Sequence, residues 1–170
     1  EPVQGEGGIH IADRQFIQQL REICDKENIL LMFDEIQCGM GRTGRFFAQE
    51  HYGVQPDILT SAKALGSGVP ISAIITNEKV SNIINYGDHG TTFGGNPLAT
   101  ATALAVIEVI ENEHLVQAAE EKGSWMIREI RNNNPEKYGI KEVRGLGLMI
   151  GIEFTFQTKP LVAKMLEKGV

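Results

Sequence analysis

The sequence predicts an α/β protein: a mostly parallel sheet with helices around it, then the start of a small α+β unit. Three observations carry this. Ile29-Leu30-Leu31-Met32-Phe33 is a continuous apolar run, the mark of a strand buried on both faces in a parallel sheet. Helical periodicity precedes it, and two more short β-type stretches, Ile58-Leu59-Thr60 and Ile71 to Thr76, follow. Beyond residue 140 the pattern changes, because Leu146, Leu148, Ile150, Ile152 and Phe154 alternate strictly, as in a strand with one buried face. That change of period marks a second sheet.

Taken in order, Glu1 to Ile9 is a glycine-rich loop in which Gly5, Gly7 and Gly8 frame Glu6. Asp13 is placed to cap a helix whose apolar positions Phe16, Ile17, Leu20, Ile23 and Cys24 share one face. After the Ile29–Phe33 strand come Asp34-Glu35-Ile36-Gln37, then the glycine-punctuated basic loop Gly39 to Arg45, a short helix over Phe46 to Tyr52, and a turn. Lys79 to Tyr86 reads as a brief helix. Asn96 and Pro97 are the N-cap and first residue of a helix to Ile110, apolar on most sides and therefore expected to be buried. Another helix runs from Leu115 to Ile130, the alternating strand follows, and Lys159 to Lys168 closes the chain as a helix. We expect a division near residue 112, with 1–112 the later part of a large domain and 113–170 the beginning of a smaller one.

The composition is that of an ordinary globular protein of 170 residues, with no apolar run approaching a membrane span. A net charge of -6 gives no general electrostatic attraction to nucleic acid or anionic lipid, so small molecules are the expected ligands. Cys24 and Cys38 form neither a disulfide framework nor a metal-ligand spacing, which fits a reducing cytoplasm; no metal site is expected. The chain opens on Glu1-Pro2 and closes on Glu167-Lys-Gly-Val170, and it reads as an internal piece of a longer polypeptide.

The chemistry centres on Thr60-Ser-Ala-Lys63-Ala-Leu-Gly-Ser-Gly68, where a lone lysine ends an apolar strand among small residues. An amine desolvated at such a place becomes nucleophilic enough to condense with a carbonyl; the bland alternative is a solvated loop lysine. Asp34 and Glu35 stand beyond the carboxyl end of the preceding strand, where ligands bind in open α/β sheets. Further on, His89-Gly-Thr91-Thr92-Phe-Gly-Gly-Asn-Pro97 is an accessible hydroxyl-rich loop. A lysine, a carboxylate and a set of donors match the needs of pyridoxal phosphate: a covalent anchor, a partner for the pyridinium nitrogen and a phosphate site. The P-loop and dinucleotide fingerprints are both absent, which leaves a nucleotide-binding module weakly supported.

Four ordered stretches, Glu1 to Gly8, Phe33 to Gly44, Ser61 to Gly66 and His89 to Pro97, closely resemble the motifs of class III (ornithine-type) aminotransferases, and Val143 to Leu148 resembles the start of that family's C-terminal domain. The resemblance implies a type I pyridoxal phosphate transferase fold and the cofactor pyridoxal 5′-phosphate. It implies that Lys63 holds the cofactor and shuttles the proton, that Asp34 pairs with the ring nitrogen, and that Glu35, Ile36 and Gln37 contact the cofactor, Gln37 near its 3′ oxygen. Thr92 is similar to the threonine that reaches a partner subunit's cofactor phosphate across a homodimer, Thr91 to a residue beside the substrate, and Glu6 to a gating glutamate. Substrates would be an amino donor and a 2-oxo acid. Within the family, Gln37 to Gly44 looks most like the acetylornithine branch of arginine biosynthesis, and the ornithine, succinylornithine and 4-aminobutyrate branches differ by only a few residues there. The family's phosphate loop, ring-stacking aromatic and α-carboxylate arginine lie outside residues 1–170, so a non-catalytic, self-associating piece is the other expectation for the isolated chain.

Overall fold

The computed structural model describes residues 1–170. The opening loop contains two short strands, β1 (Val3–Gln4) and β2 (His10–Ile11), paired antiparallel. Helix α1 (Arg14–Lys26) starts where expected: the Asp13 carboxylate accepts the Phe16 N–H at 3.0 Å, satisfying one of the amides a helix start leaves free. Ile17 and Cys24 turn inward onto Leu31, Phe33, Tyr52 and Val54. Phe16 and Ile23 remain mostly exposed, because the apolar arc of α1 is wider than the surface those residues offer.

The central sheet has the order β3 (Met32–Asp34), β4 (Ile58–Ser61), β5 (Ala73–Thr76). β3 runs parallel to β4 with Asp34 opposite Thr60, whereas β5 is antiparallel to β4 with Ile74 opposite Thr60. The antiparallel return follows from the short link between β4 and β5, which holds only the 3-10 turn Lys63–Leu65 and no crossover helix. The apolar run before Asp34 departs from the expectation of burial on both faces. Leu31 and Phe33 are buried under α1, but Met32 is 57% exposed and Ile74 72% exposed on the opposite face, which residues 1–170 leave open.

Asp57 locks this sheet. Its Oδ2 accepts the Leu31 N–H at 2.8 Å and an Arg21 N–H at 2.9 Å, and its Oδ1 accepts from the Asn77 amide at 2.8 Å. Burial opposes the carboxylate's charge, yet the Leu31 amide, Arg21 and Asn77 outweigh it and hold its pKa at about 2. One side chain thus ties α1, β3, β4 and the end of β5 into one register.

Downstream, α2 (Glu78–Ser81) is shorter than the helix expected over residues 79–86. Helix α3 (Pro97–Asn112) begins at Asn96, whose side chain accepts the Ala99 N–H at 3.0 Å. It buries Ala99, Ala103 and Ile110, the latter two packed with Met40 and Leu65, but its other side, with Leu98, Leu104 and Val109, is exposed rather than enclosed. After α4 (Leu115–Asn132), the single alternating strand expected through Leu146–Phe154 proves to be the turn and second arm of a hairpin, β6 (Ile140–Leu146) and β7 (Met149–Phe154). Gly147, with φ of 53°, makes the reversal while the alternation of apolar residues continues through it. This hairpin is a separate two-stranded sheet, and α5 (Lys159–Glu167) ends the chain.

Glycines let α4, the hairpin turn and the 39–45 loop meet backbone to backbone. A Cβ at Gly123 of α4 would fall 1.8 Å from the Gly147 carbonyl oxygen, and one at Gly147 would fall 2.4 Å from the carbonyl carbon of Thr43. The Leu148 N–H donates to the Arg42 carbonyl at 2.9 Å across the same contact. The 39–45 loop is therefore the seat on which the hairpin and α4 rest.

Candidate active site

Two neighbouring strands end side by side, and the chemistry-bearing residues follow their ends. Asp34 closes β3 on the open face of the sheet, in register with Thr60. One carboxylate oxygen accepts the Ile36 N–H at 3.0 Å, and the other has no partner within the chain. Thr60 Oγ1 beside it is buried and also without a partner. Lys63 begins the 3-10 turn with φ of 45°, in the left-handed region that costs a non-glycine residue about 1–2 kcal/mol. Its amine makes no hydrogen bond or ion pair and is exposed, so the desolvation expected of it is not supplied by these residues.

A cleft of about 510 Å³ opens at these strand ends. Glu6, Ile36, Gln37, Arg42 and Lys63 line one side, and Leu148, Met149 and Ile150 form an apolar wall brought from the hairpin. Gln37 lies tight against Gly5, where a Cβ would sit 2.4 Å from its Oε1. Glu6, Ile36, Gln37 and Lys63, from three separated stretches of sequence, thus share one cavity.

Other expected residues lie elsewhere. The Glu35 side chain does not face the cleft. It is 1% exposed, and its two oxygens accept the N–H groups of Ala48, at 2.5 Å, and Gln49, at 2.8 Å, at the start of the 3-10 turn Ala48–His51. Burial raises its pKa and the two amides pull it back only in part. Thr91 and Thr92 stand on an exposed loop and do not line the cleft. The Leu148–Ile150 wall went unnoticed in the sequence, since nothing in its spacing tells that a distant hairpin turn seats on the Arg42 loop.

The whole chain, residues 1–170, matches the family model "Aminotransferase class-III", and the protein belongs to that family. It is 61% identical over 170 residues to the acetylornithine aminotransferase of Methanocaldococcus jannaschii, a match that covers 99% of this chain and 42% of the relative. It is 48% identical over 155 residues to the acetylornithine/succinyldiaminopimelate aminotransferase of Yersinia pestis, covering 91% of this chain and 38% of the relative. Among solved structures, the ornithine aminotransferase of Toxoplasma gondii superposes with a TM-score of 0.93 at 40% identity, over 99% of this chain and 41% of that one. The acetylornithine aminotransferase of Elizabethkingia anophelis gives a TM-score of 0.88 at 40% identity, over 97% and 41%. The chain therefore spans about two fifths of the length of these relatives, and its fold is that of the pyridoxal phosphate-dependent aminotransferases. No helix is long and apolar enough to cross a membrane.

Class III aminotransferases depend on pyridoxal phosphate. The residues present fit the reacting end of that group: a free lysine amine in the cleft, and a carboxylate with one unpartnered oxygen next to an orphaned hydroxyl on the neighbouring strand.

Proposed function

We propose that the polypeptide carrying these residues transfers the terminal amino group of N-acetylornithine to 2-oxoglutarate, using pyridoxal 5′-phosphate held by Lys63 and Asp34. The observation that carries the reading is the parallel pairing of β3 and β4, which puts Asp34 and the Lys63 turn at the ends of adjacent strands, with Lys63 lining the cleft. The 61% identity to an acetylornithine aminotransferase supports the choice of substrate.

When bound, the cofactor supplies an electron sink that lets the amine-bearing carbon of a substrate lose a proton. Lys63 Nζ would hold the cofactor covalently, and its freed amine would take that proton and return it. The Asp34 carboxylate would pair with the pyridine nitrogen and favour its protonated form. The Gln37 amide would donate toward the 3′ oxygen, and Ile36 would contribute apolar contact. Glu6 stands at the cleft as the gating acid that pairs with a substrate-binding arginine when no α-carboxylate requires it. Thr91 serves substrate, and Thr92 serves the cofactor phosphate of a second subunit in a homodimer.

The protein expressed at the full length of its gene is expected to convert N-acetylornithine and 2-oxoglutarate to glutamate, with kcat/KM for N-acetylornithine well above that for ornithine. The superposition on an ornithine aminotransferase favours ornithine as the second reading. A reversed preference would establish it, and no transfer from any ω-amine would reject both.

A further inference from the structure

Glu35 follows Asp34 directly, yet every polar group it owns is engaged away from the cleft. Its N–H donates to the Thr60 carbonyl at 3.0 Å, carrying the β3–β4 pairing one step beyond the strands. Its carbonyl accepts the Gly39 N–H at 3.0 Å and closes the Asp34–Gly39 turn, and a Cβ at Gly39 would come within 2.8 Å of that oxygen. Its carboxylate, fully buried, binds the amides of Ala48 and Gln49. The turn so fixed contains the Ile36 N–H that holds one oxygen of Asp34, and it carries Gln37 into the cleft against Gly5.

We propose that Glu35 is a positioning residue: a buried carboxylate strut that braces the Asp34–Gln37 turn against the Ala48–His51 turn and so sets where the Asp34 carboxylate stands relative to Lys63. Burying a carboxylate costs free energy that its hydrogen bonds must offset, and here those bonds hold the segment bearing both groups assigned to the cofactor ring. Shortening the strut leaves two amides unpartnered and frees the turn to shift. A displacement of about 1 Å at a reacting group lowers turnover about 100-fold.

This inference rests on the aminotransferase reading above. The test uses the protein at the full length of its gene, loaded with pyridoxal phosphate, as wild type, Glu35→Gln, Glu35→Ala and the remote core variant Val143→Ala. Glu35→Gln keeps one acceptor for one amide and turns its own NH₂ toward the other. The expected result is a fall in kcat of about 10-fold for Glu35→Gln and about 100-fold for Glu35→Ala, with KM for the amino donor nearly unchanged. Together with it, the pH midpoint of the cofactor's visible band should move in both variants, and stay at the wild-type value in Val143→Ala whatever that variant's melting temperature. A lower melting temperature with kcat and the visible band unmoved would overturn the proposal and leave Glu35 purely structural. If Glu35→Ala does not fold, the comparison of Glu35→Gln with Val143→Ala decides alone. A wild-type protein that shows no cofactor band and no amine transfer would instead reject the underlying reading, which keeps the two failures apart.

Discussion

Asp57 and Cys38 show how single side chains here are set by their surroundings. The Asp57 pKa lies near 2 in the fold against an ordinary 3.8, so its stabilisation is complete above about pH 4 and is lost as the pH falls from about 4 to about 2. The shift corresponds to about 2 kcal/mol. Asp57→Asn is expected to lower stability at pH 7 by about 3 kcal/mol, since Arg21 loses its buried partner, and to flatten the acid limb of a urea-midpoint against pH curve in that window. A midpoint unchanged at pH 7 would remove Asp57 from its place as the lock of the sheet. Glu35 carries the opposite sign: its pKa is raised from 4.5, so stability falls as the pH rises through its folded value. Cys38 is fully buried, and burial, with Glu35 adding to it, pushes its thiol up to about 12. It should remain unmodified by iodoacetamide at pH 8 in the folded protein and react on denaturation, as peptide mass mapping would show. The positions of Asp34 and Lys63 at strand ends were legible in the sequence because an apolar run that stops at a charged residue has few other meanings. The conformation of Lys63 and the burial of Glu35 were not. A positive φ at lysine leaves no compositional trace, and the donors that hold Glu35 lie 13 and 14 residues away at the start of a 3-10 turn.

Among the elements, helices whose ends carry their own caps were read accurately. Asp13 and Asn96 each satisfy a first-turn amide, so the starts of α1 and α3 are local properties. Strands depend on partners, and pairing decides what their own residues leave open. β5 turned out antiparallel because the link before it is too short for a crossover. The hairpin β6–β7 was hidden because alternation persists through a two-residue reversal when glycine supplies the left-handed turn. The seat of that hairpin is itself testable. Gly123→Ala would place a methyl group 1.8 Å from the Gly147 carbonyl oxygen, which the contact can absorb only by separating α4 from the turn. We expect a loss of about 3 kcal/mol or somewhat less, with the apolar Leu148–Ile150 wall displaced from the cleft. Chemical denaturation would measure the first effect and substrate KM the second. An alanine variant with wild-type stability would mean that the two parts do not bear on each other there.

At the scale of the molecule, residues 1–170 bring together a cleft whose two sides come from different sheets: the strand-end residues Gln37 and Lys63, and the hairpin wall. The other sheet face, with Met32, Asp34 and Ile74, and the outer side of α3 stay exposed, and the relatives that share this fold are more than twice as long. The central claim is that Lys63 is the attachment point for pyridoxal phosphate. The measurement that tests it most directly is borohydride reduction of the full-length protein incubated with pyridoxal phosphate, followed by peptide mass mapping of the modified lysine. The account predicts one stoichiometric adduct, at Lys63, together with loss of the visible band in Lys63→Ala. An adduct at another lysine, label scattered over several, or a band that survives Lys63→Ala would contradict it.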